Sequence, residues 1–260
     1  MINFIKSELY RVFHTKGFYL FTGFGVVMVL AMNLVLWMCG LNTPEFRYNT
    51  TGFAFSMLYY GGFQPILFMT LGISTVIFSG EFKNKTINNS IAFGCSAKTH
   101  FIGKLLVTLL CSLICMLVTE GTLIGSGYLL LQDSGPAETA KVIKATIACT
   151  PILICSVCAA VSLFYILRSE VKGMWAWLVL IIGVTAVITL FGMKFEPMRQ
   201  LSRWLIYNLV VENSMDPATG MTVMVWETSE GFYRCILAGV IGILVFVTAG
   251  LAGVYKRDLK

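Results

Sequence analysis

Residues 145–167, ATIACTPILICSVCAAVSLFYIL, run for 23 positions without an Asp, Glu, Lys or Arg. A helix needs about 20 apolar residues to cross ~30 Å of hydrocarbon, so this run is long enough. Residues 17–44, 48–80, 173–193 and 235–255 pass the same test, and 105–132 passes it with Glu120 as an interruption. The run at 48–80 is read as an outer loop followed by one helix starting near Tyr59. The chain is therefore expected to be an all-α polytopic membrane protein with six transmembrane helices in one domain, 1–260.

Composition agrees. Of 260 residues, 57% are hydrophobic and 12% charged, with a mean hydropathy of +0.80. Ordinary soluble domains carry about 25% charge. Soluble enzymes, DNA-binding proteins and disordered scaffolds are excluded, and no nucleic-acid partner is implied by the +6 net charge. Its distribution sets orientation instead. With the N-terminus inside, the inner segments hold twelve bases against four acids and the outer loops seven bases against eight acids. The positive-inside rule then places both termini in the cytoplasm. The N-terminal stretch is not read as a cleaved signal peptide, because the apolar segment after Lys16 is too long and has no A-x-A-like site.

The connecting segments carry their own signatures. In 1–16, Ile2, Ile5, Leu9, Val12 and Phe13 recur at helical spacing beside Lys6 and Arg11, as in an interfacial elbow helix. The outer loop 194–234 contains an apolar-aromatic cluster of Trp204, Leu205, Tyr207, Leu209 and Val210, suited to the outer interface. Segment 81–94, EFKNKTINNSIAFG, puts its charges at one end and Ile87 and Ile91 four apart, and reads as a short amphipathic helix. Gly94 is placed to cap it, and Ser96 to cap the helix that follows.

The pattern Glu-aromatic-x-Asn-x-Thr-Ile-x-Asn, then Gly-x-Ser and a base before the next span, resembles the permease subunits of bacterial ABC exporters of the ABC-2 type. The lantibiotic-immunity and bacitracin-resistance kind is the nearest in character, and the opening Glu8-Leu-Tyr-Arg-Val-Phe-His-Thr-Lys-Gly-Phe18 is similar to theirs. The likeness covers the whole chain in layout and these two segments in residues. It implies that 81–94 is a coupling helix docking on a cytoplasmic ATPase, with Glu81, Phe82, Lys83, Asn84, Lys85, Thr86 and Ile87 as coupling residues. It further implies a plasma-membrane exporter built from cytoplasmic ATP-binding subunits and two permeases, identical or related. Its cargo would be an antimicrobial peptide or another amphipathic, lipid-like substrate.

The chain itself is not expected to be an enzyme. ATP and Mg would bind the partner ATPase, because the nearest approach to a phosphate-cradling loop, Gly94-Cys-Ser-Ala-Lys98-Thr99, lacks the required second glycine and a preceding strand. Neither a metal site nor a catalytic group is read. Glu120 is the one acid within a span, either a contact in a cavity or latch or a neutral, packed residue. Gly121 and Gly125 form a small-residue face for helix packing, within the chain or between subunits. Cys155 and Cys158 are read as small apolar packing residues. A secondary transporter or channel using Glu120, or an accessory membrane sensor subunit, remain the alternatives.

Overall fold

The computed structural model describes residues 1–43, 45–60, 63–79, 81–82, 84, 96–215 and 222–258. These fold as helices α1 (Ile2–Phe13), α2 (Lys16–Asn42), α3 (Thr51–Tyr60), α4 (Gln64–Phe78), α5 (Ala97–Leu130), α6 (Pro136–Leu167), α7 (Glu170–Gly192), α8 (Glu196–Ser202), α9 (Ile206–Val211) and α10 (Ser229–Asp258). One short antiparallel hairpin, β1 (Asn213–Met215) with β2 (Thr222–Met224), interrupts the helical pattern.

Among the described residues, five helices (α2, α5, α6, α7 and α10) are long and apolar enough to cross a membrane. Their outward faces are apolar as well, with Leu20, Phe24, Leu117, Leu190 and Leu244 all exposed. That architecture is compatible with a multi-pass membrane protein. The expected second span differs from its reading as one helix starting near Tyr59. Helix α3 occupies the stretch expected as an outer loop, and α4 begins only at Gln64 and has 15 residues. At 1.5 Å per residue α4 reaches ~22 Å, short of ~30 Å of hydrocarbon. Pro65 suits the start of α4, since a proline has no N–H to donate and is best accommodated in a helix's first turn.

Helix α6 is the central post. In its most apolar stretch 72% of residues are buried, against 11% in α2 and 17% in α7. Its Ser156 bonds Thr70 of α4 hydroxyl to hydroxyl at 2.7 Å, and its carbonyl accepts from Trp177 Nε1 of α7 at 3.2 Å. Helix α10 lies along α6 through a seam of small residues. A Cβ at Gly239 would stand 2.6 Å from the Pro151 carbonyl carbon, and one at Gly250 would meet Phe101 and Ser162. Gly242 backs onto Cys155, so this cysteine packs as expected from its surroundings, with Cys158 also buried. The turn from α6 into α7 is tight: Arg168 adopts a left-handed φ of 49°, and Ser169 Oγ accepts from Lys172 N.

At the far end, Thr51 N donates to Gln132 O at 2.9 Å and Ser134 N to Thr51 Oγ1 at 2.9 Å. These bonds pin the start of α3 to the α5–α6 turn. The segment expected as outer loop 194–234 is largely ordered structure: it holds α8, α9, the hairpin and the first turn of α10, which starts six residues before the expected Cys235. Leu209 and Val210 are buried in the core while Trp204 stays exposed, so the cluster divides between packing and surface.

The α6–α10 seam generates a differential prediction. Gly239→Leu forces a side chain against backbone and should cost at least about 1–3 kcal/mol. Gly121→Ala, placed where a Cβ would meet nothing within 4 Å, should change stability by less than about 0.5 kcal/mol. Thermal unfolding in mild detergent compares the two.

Candidate functional site

Helix α5 presents one buried stripe at helical spacing: Ala97, His100, Phe101, Lys104, Thr108, Cys111 and Cys115. Ser96 starts the helix as expected, accepting from Thr99 N at 3.2 Å. Lys104 falls on the stripe, and its side chain has 0% exposure. A buried ammonium is tolerated only when paired and hydrogen-bonded. Two carboxylates supply this. Lys104 Nζ donates to Glu8 of α1 and to Glu81, just past α4.

Arg11 completes the group. It lies one turn after Glu8, donating to Glu8 Oε2 at 3.0 Å, and pairs with Glu81 Oε1 at 2.7 Å. It also donates to the Ile77 carbonyl at 2.8 Å, so it caps the end of α4. Two acids and two bases thus form a neutral network that joins α1, α4 and α5. Its floor is aromatic. Lys104 Nζ stands 5.6 Å from the Phe78 ring centre, and Phe82 stacks on Phe78 at 5.9 Å. Tyr165 of α6 packs edge-on to Phe78, Phe82 and Phe101 and hydrogen-bonds His100 Nδ1. Gly103 admits Phe4, which seats α1 closely on α5.

The two carboxylates titrate in opposite senses. Burial opposes ionisation of Glu8, but the charges and hydrogen bonds of Lys104 and Arg11 outweigh it and hold its pKa below the usual value. At Glu81 burial dominates over Lys104 and Arg11, with the Glu8 charge adding to it, and its pKa is raised.

Of the expected coupling residues, Glu81 is buried in this network, Phe82 is half-buried against the aromatics, and Asn84 is exposed. Lys83, Lys85, Thr86 and Ile87 lie outside the described residues, as do the rest of the expected helix and Gly94. The sequence places Glu8 and Arg11 in the opening segment and Lys104 among the inner bases, and predicts no contact between them. The signal for Lys104 was its place four residues after His100 and four before Thr108 on one helical face.

The second candidate lies farther along α5. Glu120 is 6% exposed and accepts from Thr146 Oγ1 of α6 at 3.1 Å. It lines a cavity of about 500 Å³ between α2, α3, α4 and α5. Gly121 and Gly125 face outward, and a Cβ at either would meet nothing within 4 Å. Packing within the chain falls instead to Gly127, against Phe55, and to the α10 seam. Among the described residues no group of three or more His, Cys, Asp or Glu is placed to hold a metal ion. No family model, curated protein or solved structure matches the chain.

Two outcomes follow for the charged network. Lys104→Met leaves two buried acids facing one base and should cost about 3–5 kcal/mol. Adding Glu81→Gln restores neutrality and should recover most of that loss in denaturant unfolding; equal loss in single and double variants would make Lys104 a packing residue. In acid, Glu81 should take the first proton, which relieves the cost of its burial. Glu8, whose folded pKa is depressed, contributes stability above its unfolded pKa and loses it as pH falls through the folded one. Infrared titration of the carboxyl band should therefore lose the Glu81 step in Glu81→Gln.

Proposed function

We propose that this chain is the permease subunit of an ATP-driven exporter of the ABC-2 type in a bacterial plasma membrane, with both termini cytoplasmic. One observation carries the reading. Glu81, the first residue of the expected coupling segment, is bound by Lys104 and Arg11. A push on 81–94 by a closing pair of ATPase subunits is then passed at once into α1, α4 and α5, three elements tied by one buried network. Rigid transfer of this kind converts a local contact change into a change of access.

In this reading α1 is the interfacial elbow, and α3 with α4 makes a sixth, broken crossing. ATP and Mg are handled by the partner ATPase, while this chain contributes motion and a path. A second permease, identical or related, completes the assembly. The exposed apolar faces and the Phe- and Met-lined cavity suit an antimicrobial peptide or another amphipathic, lipid-like cargo.

A specific feature favours a second reading. The break between α3 and α4 lies beside the cavity that Glu120 lines, and discontinuous helices around a polar group are common in secondary transporters.

Purifying the tagged protein from its native membrane in mild detergent, with mass spectrometry of its companions and an ATP hydrolysis assay, separates the two. A stoichiometric ATPase is expected. An intact complex without one, and without nucleotide dependence, moves the assignment to the secondary transporter. Asn84→Trp adds bulk at an exposed site and should weaken ATPase retention about tenfold, equivalent to ~1.4 kcal/mol, at unchanged thermal stability. Unchanged retention would remove Asn84 from the docking surface.

A further inference from the structure

The cavity beside Glu120 has an uneven chemistry. Phe21, Phe24, Met28, Met32, Phe68 and Met69 are among its lining residues, and its polar members are Thr119 and Glu120 alone. The Thr119 hydroxyl is already used, donating to the Cys115 carbonyl at 2.8 Å. Glu120 Oε2 accepts from Thr146, while Oε1 is buried and has no hydrogen-bond partner among the described residues. No Lys, Arg or His among them forms an ion pair with Glu120.

Depth sharpens the point. Glu120 lies sixteen residues beyond Lys104 on α5, or ~24 Å along the helix axis. An ionised carboxylate so far from the charged end needs a counter-charge, and the protein offers it one neutral hydroxyl. The walls suit the rest of such a ligand. Aromatic faces attract cations, methionines adapt to irregular apolar shapes, and about 500 Å³ is within the usual range for a small-molecule site. The rim is open sideways: Phe24, Met28, Met57 and Phe68 are exposed on the lipid-compatible surface.

We propose that the cavity between α2, α3, α4 and α5 binds a small amphipathic cation, a single amine or quaternary ammonium on an apolar body, with its charge at Glu120. The ligand enters sideways between α2 and α4. Its apolar body lies along the Phe and Met side chains, and its cationic group supplies the partner that Glu120 lacks. The proposal rests on the exporter reading only in making this ligand a cargo class; binding is measured on the chain without an ATPase. A failed probe and a failed co-purification are therefore separate results.

The test uses the full chain in digitonin micelles, with labelled dodecyltrimethylammonium and its uncharged isostere 2,2-dimethyltetradecane as probes. Saturable binding of the cation is expected. Glu120→Gln keeps the shape and an oxygen for Thr146, and should weaken the cation tenfold or more while changing the hydrocarbon less than twofold. Glu120→Asp should retain most cation binding, and Met28→Trp, which fills the cavity from its open rim, should weaken both probes. Equal cation affinity in Glu120→Gln, equal loss of both probes in that variant, or full cation binding in Met28→Trp would each overturn the proposal. So would binding of a Lys-rich amphipathic peptide with none of the small cation.

Discussion

Lys104 is a cation without exposed surface, and three elements owe their arrangement to its need for partners. Its own helix supplies neither carboxylate: Glu8 comes from α1 and Glu81 from beyond α4, with Arg11 bridging both. Such a network gains little net stability over an apolar replacement, because desolvating Lys104, Glu8 and Glu81 costs nearly what the attraction returns. Its effect is on specificity. A shift of any one of α1, α4 or α5 leaves a buried charge uncompensated, so the three hold one relative position or move together.

That constraint acts at one end of the bundle, and a different one acts along its length. Helix α6 is the most buried of the five long helices, and α10 approaches it closely because Gly239, Gly242, Gly250 and Gly253 remove the side chains that would hold it off. Between apolar helices in lipid, close packing of this kind replaces the hydrophobic drive that water provides elsewhere. Helix α2 has less of this contact. Gly72 of α4 receives Phe21, and Asn33 Nδ2 donates to Ser126 Oγ at 2.7 Å and to Leu123 O at 3.2 Å. The cavity opens where α2 stands off from the broken α3–α4 pair. A loosely held helix beside a firmly packed post has less packing to lose when it moves.

Reading charges by segment and reading them by contact lead to different pictures of the same residues. Counted along the chain, Glu8, Arg11, Glu81 and Lys104 are part of an inner basic surplus. Brought together they cancel, and the surplus is unaltered by their pairing. Small residues show the same limit. Gly121 and Gly125 have the spacing of a packing face yet a Cβ at either would meet nothing within 4 Å, whereas Gly239 and Gly250, eleven apart, lie hard against neighbouring helices. Spacing identifies a smooth face, but only the neighbouring helix decides whether anything is pressed against it.

Long apolar runs, the Ser96 cap and the helical spacing of 2–13 were legible from residue order, because backbone hydrogen bonding and apolar burial are local demands. The start of α4 was missed, although Pro65 is a local signal for it, because a proline's missing N–H is best tolerated in a helix's first turn. The partners of Lys104, the cavity around Glu120 and the choice of which glycines touch a neighbour belong to the tertiary structure. They depend on pairs of residues from 23 to 149 positions apart, and a charge or a gap acquires its meaning only when another helix stands beside it.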